Sequence, residues 1–141
     1  MYALGIDFGT NSVRALIADL ATGEEVGTFV HNYTRGTDGI ILDEKDANFA
    51  RQDPRDYVEG LESCVKQAIR EAQKSKDFSA DKIIGIGVDT TGSTPIPVDS
   101  AGAPLSFHNE FAGNPNAMAW LWKDHTGHEE AELINHKAHE S

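Results

Sequence analysis

Gly5-Ile6-Asp7-Phe8-Gly9-Thr10-Asn11-Ser12-Val13-Arg14 is the stretch on which the fold turns. Apolar residues from Tyr2 lead into Asp7, small and polar residues follow at once, and alternation resumes at Ser12. That is a strand–turn–strand pattern. With no Cβ at Gly9, backbone N–H groups at the apex can approach an anion closely. Thr10, Asn11 and Ser12 add side-chain donors at successive positions, and Arg14 offers a planar fork suited to a terminal phosphate. Asp7, at the strand end beside these donors, is a hard oxygen ligand for Mg²⁺, directly or through its water shell. The set suits contact with a magnesium nucleotide; an ordinary hairpin turn is the plain alternative.

Working outward, Val13, Ala15 and Ile17 share one face of the second strand and Arg14, Leu16 and Ala18 the other. Ala21-Thr22-Gly23-Glu24 is turn chemistry, and Glu25 to Tyr33 supplies a third strand of β-branched and aromatic residues. Three strands joined by short turns predict an antiparallel meander. Residues 34–52 have no period and carry Asp38, Asp43, Glu44 and Asp46 around Ile40-Ile41-Leu42, so they read as a long solvated loop or one containing a short extra strand. Asp53-Pro54 opens a helix, with Asp53 as cap, Pro54 in the first turn and Asp56 favourable to the dipole. Tyr57, Leu61, Cys64/Val65, Ala68 and Ala72 form its apolar stripe, widened by Val58 and Ile69, and Lys74 and Lys76 close it.

Lys82 to Asp89 is almost wholly apolar or Gly, which predicts a strand buried on both faces. It too ends at a carboxylate followed by small residues, Asp89-Thr90-Thr91-Gly92-Ser93-Thr94. Ile96 and Val98 read as a short edge strand beside Pro95 and Pro97, and Asp99-Ser100-Ala101-Gly102 as a turn. Asn114-Pro115 is expected to cap a helix through Trp120-Leu121-Trp122 that Gly127 breaks. Trp120 and Trp122 are too close in sequence to share one helical face, so one is expected to pack inward and the other to line a cleft, with core packing of both as the plain alternative. Residues 128–141 are helical in composition with only Leu133 and Ile134 as core candidates.

The 141 residues fit one domain, with 12 basic and 23 acidic residues and a formal net charge of −11. A duplex nucleic-acid binder needs clustered Lys and Arg, so that class is excluded. The single cysteine, Cys64, precludes an internal disulfide framework and sits in the helix stripe as a packing residue. There is no basic, apolar leader at Met1–Asp7 and no run of about 18 apolar residues, so a cytoplasmic chain with no membrane partner is expected. His125, His128, His136 and His139 invite a metal reading, but an exposed helix face accounts for the last three, and His125 stands apart after Trp122-Lys123-Asp124.

The order strand, D-x-G-T turn, strand, strand, helix, strand resembles the first half-domain of the actin, sugar-kinase and chaperone-ATPase superfamily. Within it, Asp7-Phe8-Gly9-Thr10-Asn11-Ser12-Val13-Arg14 looks like the first phosphate motif of the FGGY carbohydrate kinases. Gln52-Asp53-Pro54 resembles that family's Q-x-P signature. Ile86 to Thr94 falls where its sugar-contacting turn would be, and Trp122-Lys123-Asp124-His125-Thr126 looks like its tryptophan–x–aspartate–arginine motif with histidine for arginine. The variants Asp89 to Pro95 and Leu121 to His125 resemble the ribulokinase branch rather than glycerol kinases or xylulokinases.

The resemblance implies an α/β, ribonuclease H-like half-domain: a mixed sheet with an antiparallel meander and flanking helices. It implies transfer of the ATP γ-phosphate to L-ribulose. Asp7 would organise Mg²⁺, while Gly9, Thr10, Asn11, Ser12 and Arg14 would face the nucleotide phosphates. Gly92, Ser93, Thr94, Trp122, Asp124 and His125 would shape the sugar pocket, with Asp124 accepting sugar hydroxyls or orienting a neighbouring donor. Members of the family are several times longer, and no second phosphate loop or adenosine-binding segment is found here. Nor is there a candidate for the late catalytic aspartate, so the base is expected beyond Ser141 and no catalytic residue is assigned within the chain. Residues 1–141 are therefore expected to be the N-terminal part of the first kinase domain, carrying part of two sites, inactive alone, and prone to self-association. Another superfamily ATPase and a non-catalytic module are the rival readings.

Overall fold

The computed structural model describes residues 1–140. Ser141, the position past which the catalytic base is expected, lies outside the described residues. Strands β1 (Tyr2–Phe8), β2 (Ser12–Asp19) and β3 (Glu25–Asn32) form the expected meander, and β6 (Ile83–Thr90) joins β1 in parallel, giving the order β3-β2-β1-β6. Short strands β4 (Ile41–Leu42), β5 (Ala50–Gln52) and β7 (Ala119–Trp120) make a second antiparallel sheet, order β4-β5-β7. Two helices complete the fold, α1 (Pro54–Ala72) and α2 (His128–His139).

The alternation read in β2 sets the core. Val13, Ala15 and Ile17 are 0% exposed and lie beside Leu4 and Ile6 of β1 under α1. α1 presents small residues to the sheet, Gly60, Cys64, Ala68 and Ala72, so its axis comes close over β2 and β3. A Cβ at Gly27 of β3 would lie 2.4 Å from the Ala68 carbonyl oxygen, and one at Gly60 would lie 2.6 Å from Val13 Cγ1. Cys64 is a packing residue as expected, its Sγ donating to the Val13 carbonyl at 2.9 Å, and burial pushes its thiol pKa up. Asp53 caps α1 by accepting the Arg55 N–H at 2.9 Å. Val58, assigned to the stripe, faces solvent instead.

Asp56 does more than favour the helix dipole. It is buried and accepts the backbone N–H of Arg35 at 3.1 Å and Arg35 Nη1 at 2.7 Å. Arg35 also forks onto Glu59 at 2.8 and 2.9 Å, which raises the pKa of the arginine and lowers that of the carboxyl. The segment leaving β3 is thereby clipped to α1.

Several sequence expectations fail for identifiable reasons. β6 is not buried on both faces: Ile84, Ile86 and Val88 are 62, 67 and 62% exposed. Among the described residues the strand pairs only with β1, and α1 covers β2 and β3. Ile96 and Val98 form no strand, only an isolated Val98–Pro104 bridge, since the prolines beside them supply no N–H. Asn114 caps a single short turn, Pro115–Ala117, and the chain then runs extended through Ala119–Trp120 to pair with β5. The extended path lets Leu121 pack with Ile40 and Ala50. Gly127 precedes a helix rather than ending one. Residues 34–52 hold two short strands and a tight turn at Asp38 (φ 51°) and Gly39 (φ 82°).

Candidate functional site

β1 and β6 are parallel neighbours, so their carboxyl ends emerge side by side, the usual place for a ligand in an open α/β sheet. Asp7 lies in register with Arg14 on β2 and with Asp89 on β6. All three are exposed on the face away from α1 and line a groove of about 440 Å³ with Gly5 and Gly87. Two carboxylates on adjacent strands, with a guanidinium beside them, form an oxygen-rich donor set that fits Mg²⁺. The family resemblance groups Asp89 with the sugar side; the parallel register of β1 and β6 sets it next to Asp7.

The turn after β1 is held from several sides. The Gly9 N–H donates to the Ser12 carbonyl at 2.9 Å, so that donor is engaged within the turn. The Asn11 carbonyl accepts from Tyr33 N–H at 2.9 Å, and Asn11 Nδ2 donates to the Asp38 carbonyl at 2.8 Å. Gln52 lies beneath, 1% exposed, with Nε2 donating to the carbonyls of Thr10 at 2.7 Å and Gly39 at 3.3 Å. Its Oε1 accepts from the Tyr57 hydroxyl at 2.7 Å, and burial raises the pKa of that phenol. Gln52 thus holds the position of the turn. Its place in the sequence motif is legible, and this job is not.

Thr91 N–H donates to the Phe8 carbonyl at 3.1 Å, joining the turn after β6 to the end of β1. Ser93 adopts a positive φ of 57°, and Gly92, Ser93 and Thr91 line a cleft of about 450 Å³ with Trp122. Thr94 lies in the adjoining cleft of about 250 Å³ with Gly9, Tyr57 and Thr91, where its Oγ1 is 3.4 Å from that of Thr91. Trp122 is 52% exposed, and its Nε1 donates to Thr10 Oγ1 at 3.1 Å. The indole is therefore bonded to the turn after β1 and lines the cleft together with the turn after β6. The expected division between the tryptophans holds: Trp120 packs against the Arg51 guanidinium, 3.7 Å from its ring centre, while Trp122 lines the cleft.

Asp124 and His125 are not brought into that cleft. The Asp124 side chain is 4% exposed and paired with Arg51. It also accepts from Ala50 N–H at 2.7 Å and from Thr126 N–H and Oγ1 at 3.2 and 2.6 Å. With its lone pairs filled, it orients a neighbouring donor and has no capacity left for a sugar hydroxyl. Sequence reasoning misses Arg51, because nothing in its neighbours announces a cation buried between Phe49 and Trp120. Burial lowers its pKa. His125 is exposed, its N–H donating to the Asn48 carbonyl at 2.8 Å. His128, His136 and His139 lie on the exposed α2, where His136 meets Glu140 at 3.3 Å.

The arrangement matches known proteins. A family model for the FGGY carbohydrate kinases, N-terminal domain, matches residues 2–140. Ribulokinase of Vibrio parahaemolyticus is 43% identical over 138 residues, 98% of this chain and 24% of that protein. Ribulokinase of Shouchella clausii is 38% identical over 143 residues, 99% of this chain and 25% of that protein. The solved xylulose kinase of Lactobacillus acidophilus shares the fold with a TM-score of 0.67 at 17% identity, covering 96% of this chain and 22% of that one. The chain thus spans about a quarter of the length of the curated relatives it matches. On the family match across residues 2–140, and on the actin/hexokinase-like fold that accompanies it, the chain belongs to the FGGY family of carbohydrate kinases.

Proposed function

We propose that residues 1–141 are the N-terminal part of the first domain of a kinase that transfers the γ-phosphate of ATP to L-ribulose, with its catalytic base supplied from beyond Ser141. The observation that carries this reading is the Trp122–Thr10 bond, which brings a tryptophan of the sugar-side cleft onto the phosphate turn. The donors of one substrate and the walls for the other thereby lie within one side chain's reach, as direct transfer between them requires.

Asp7, with Asp89 beside it, would hold Mg²⁺, which neutralises charge on the transferring phosphoryl group when bound. Arg14 offers a forked donor on the same face. Thr10 keeps its hydroxyl proton to give to a phosphate oxygen, because it only accepts from Trp122. Gly92, Ser93 and Thr94 shape the pentulose side, and the ring of Trp122 covers it from water. Gln52 and Asp124 position: the first fixes the turn, the second fixes Arg51 and the start of β5. A reading as a non-catalytic module has no such use for a phosphate turn tied to a tryptophan.

A chimera tests this. This chain would replace the matching N-terminal quarter of the Vibrio parahaemolyticus ribulokinase, with ADP formation measured on L-ribulose and on D-xylulose. The expected result is ribulose-dependent turnover that Thr10→Val lowers about 10²-fold. A folded chimera that turns over neither pentulose overturns the reading. The isolated 141-residue chain is expected to show no turnover, and turnover by it would refute its assignment to part of a domain.

A further inference from the structure

Trp122 is the large side chain among those lining the sugar-side cleft, and packing does not hold it: half of its surface is exposed. Its direction therefore depends on its bond to Thr10 and on the backbone that carries it. Trp122 is the second residue of a turn that the Asp124 N–H closes onto the Leu121 carbonyl at 2.7 Å. Ala50 of β5 grips both ends of this turn. Its carbonyl accepts from Leu121 N–H at 3.1 Å, and its N–H donates to the Asp124 carboxylate at 2.7 Å. Arg51, 2% exposed, pairs with the same carboxylate and lies against the rings of Trp120 and Phe49, 3.7 and 4.5 Å from their centres. A buried ion pair is a poor device for stability alone, since apolar side chains of like volume serve as well. What a carboxylate bonded on several sides supplies is direction. Here the turn that receives it carries Trp122.

We infer that Arg51 is a positioning residue: through Asp124 and the turn it closes, Arg51 sets the angle at which Trp122 meets the pentulose, and so governs which sugar the cleft accepts. The inference rests on the proposed transfer to a pentulose. Arg51 lines neither the cleft of Trp122 nor the adjoining one, so it acts only through its neighbours. The nucleotide side has a separate hold, the Gln52 amide on the Thr10 carbonyl at 2.7 Å. Loosening the turn of Trp122 therefore leaves the phosphate turn in place.

Fluorescence and kinetics test this together. With Trp120→Phe, which keeps a ring against Arg51, Trp122 is the only tryptophan of the 141-residue chain and its emission is read alone. Arg51→Lys keeps the charge but loses the planar fork and its stacking. In that background it is expected to raise acrylamide quenching of Trp122 about twofold and to lower its anisotropy, as the side chain moves more freely on the nanosecond scale. In the chimera with the Vibrio enzyme, both tryptophans restored, Arg51→Lys is expected to raise KM for L-ribulose about 10-fold and to narrow the preference for L-ribulose over D-xylulose, while KM for ATP stays within about twofold. Arg51→Met combined with Asp124→Asn removes both charges and strands neither, so it keeps the fold where Arg51→Lys does not, and the same changes are expected. A lowered thermal midpoint with quenching and the L-ribulose KM unmoved would mean that the pair only stabilises, and would overturn the inference. Equal rises in both KM values would overturn it too, since the whole site would then have loosened. A parental chimera inactive on both pentuloses would sink the proposed function instead, and quenching in the 141-residue chain would still decide whether Arg51 positions Trp122.

Discussion

Two strands of one sheet, β2 and β6, carry nearly the same apolar content and meet opposite fates. Val13, Ala15 and Ile17 of β2 are fully buried, while Ile84, Ile86 and Val88 of β6 are mostly exposed. Composition made both of them strands, and neighbours decided which was core. β2 lies between β1 and β3 under α1; β6 has one partner and no helix over it among the described residues. Burial is a property of the layer above a strand, not of the strand.

The sharpest way to break that contrast is to make one substitution twice. Ile17→Ala is expected to cost about 3 kcal/mol, the removed methyl groups plus the cavity left under α1. Ile86→Ala is expected to stay within about 0.5 kcal/mol. Urea unfolding of the two variants gives the comparison. Equal losses would mean that β6 has a covering layer in solution. A second pair removes hydrophobicity from the question. Gly27→Ala drives a Cβ into the Ala68 carbonyl oxygen and is expected to cost about 2 kcal/mol by lifting α1. Gly85→Ala on β6 meets nothing within 4 Å and costs only tenths of that.

The same contrast explains what the sequence revealed. The meander, α1 with its cap, and the place of Cys64 are all legible, because each depends on local period and capping chemistry. What fails depends on partners distant in sequence. Trp120 and Leu121 look helical beside Asn114-Pro115, but β5 and the Ile40–Ala50 pocket draw them into an extended path. Asp124 looks like a ligand for a sugar, but Ala50, Arg51 and Thr126 consume its acceptors. Gln52 is visible as part of a motif, while its bond to the Thr10 carbonyl spans 42 residues. That bond has a measurable consequence of intermediate size. Gln52→Ala leaves the Thr10 and Gly39 carbonyls without their donor, and a loss of about 1–2 kcal/mol is expected. Amide exchange should quicken at Thr10 and Asn11 more than in β2. Uniform quickening would mean that Gln52 merely fills space.

The smallest expected effect separates the fastened edge from the open one by pH. Glu59 takes both arms of Arg35, at 2.8 and 2.9 Å, and its carboxyl pKa is lowered chiefly by that bond. A lowered folded-state pKa means the folded form holds its proton less tightly than the unfolded chain, whose carboxyl titrates near the ordinary 4.5. The contribution is therefore fully present above that value and lost as pH falls through the lowered one. Because Glu59 lies at the surface, the gain is small and screened by salt. The thermal midpoint of Glu59→Gln should sit slightly below the parent at pH 7 and converge with it in acid, as pH falls through the lowered pKa. Asp56 keeps its own bonds to Arg35 in that variant, so the segment after β3 stays attached and only the outer half of the clip is read. No such carboxylate–arginine clip reaches β6 among the described residues, so Ile86→Ala should show the same small difference from the parent at both pH values. A gap that widened in acid for Glu59→Gln would reverse the sign and place the ion pair in the unfolded chain rather than across α1.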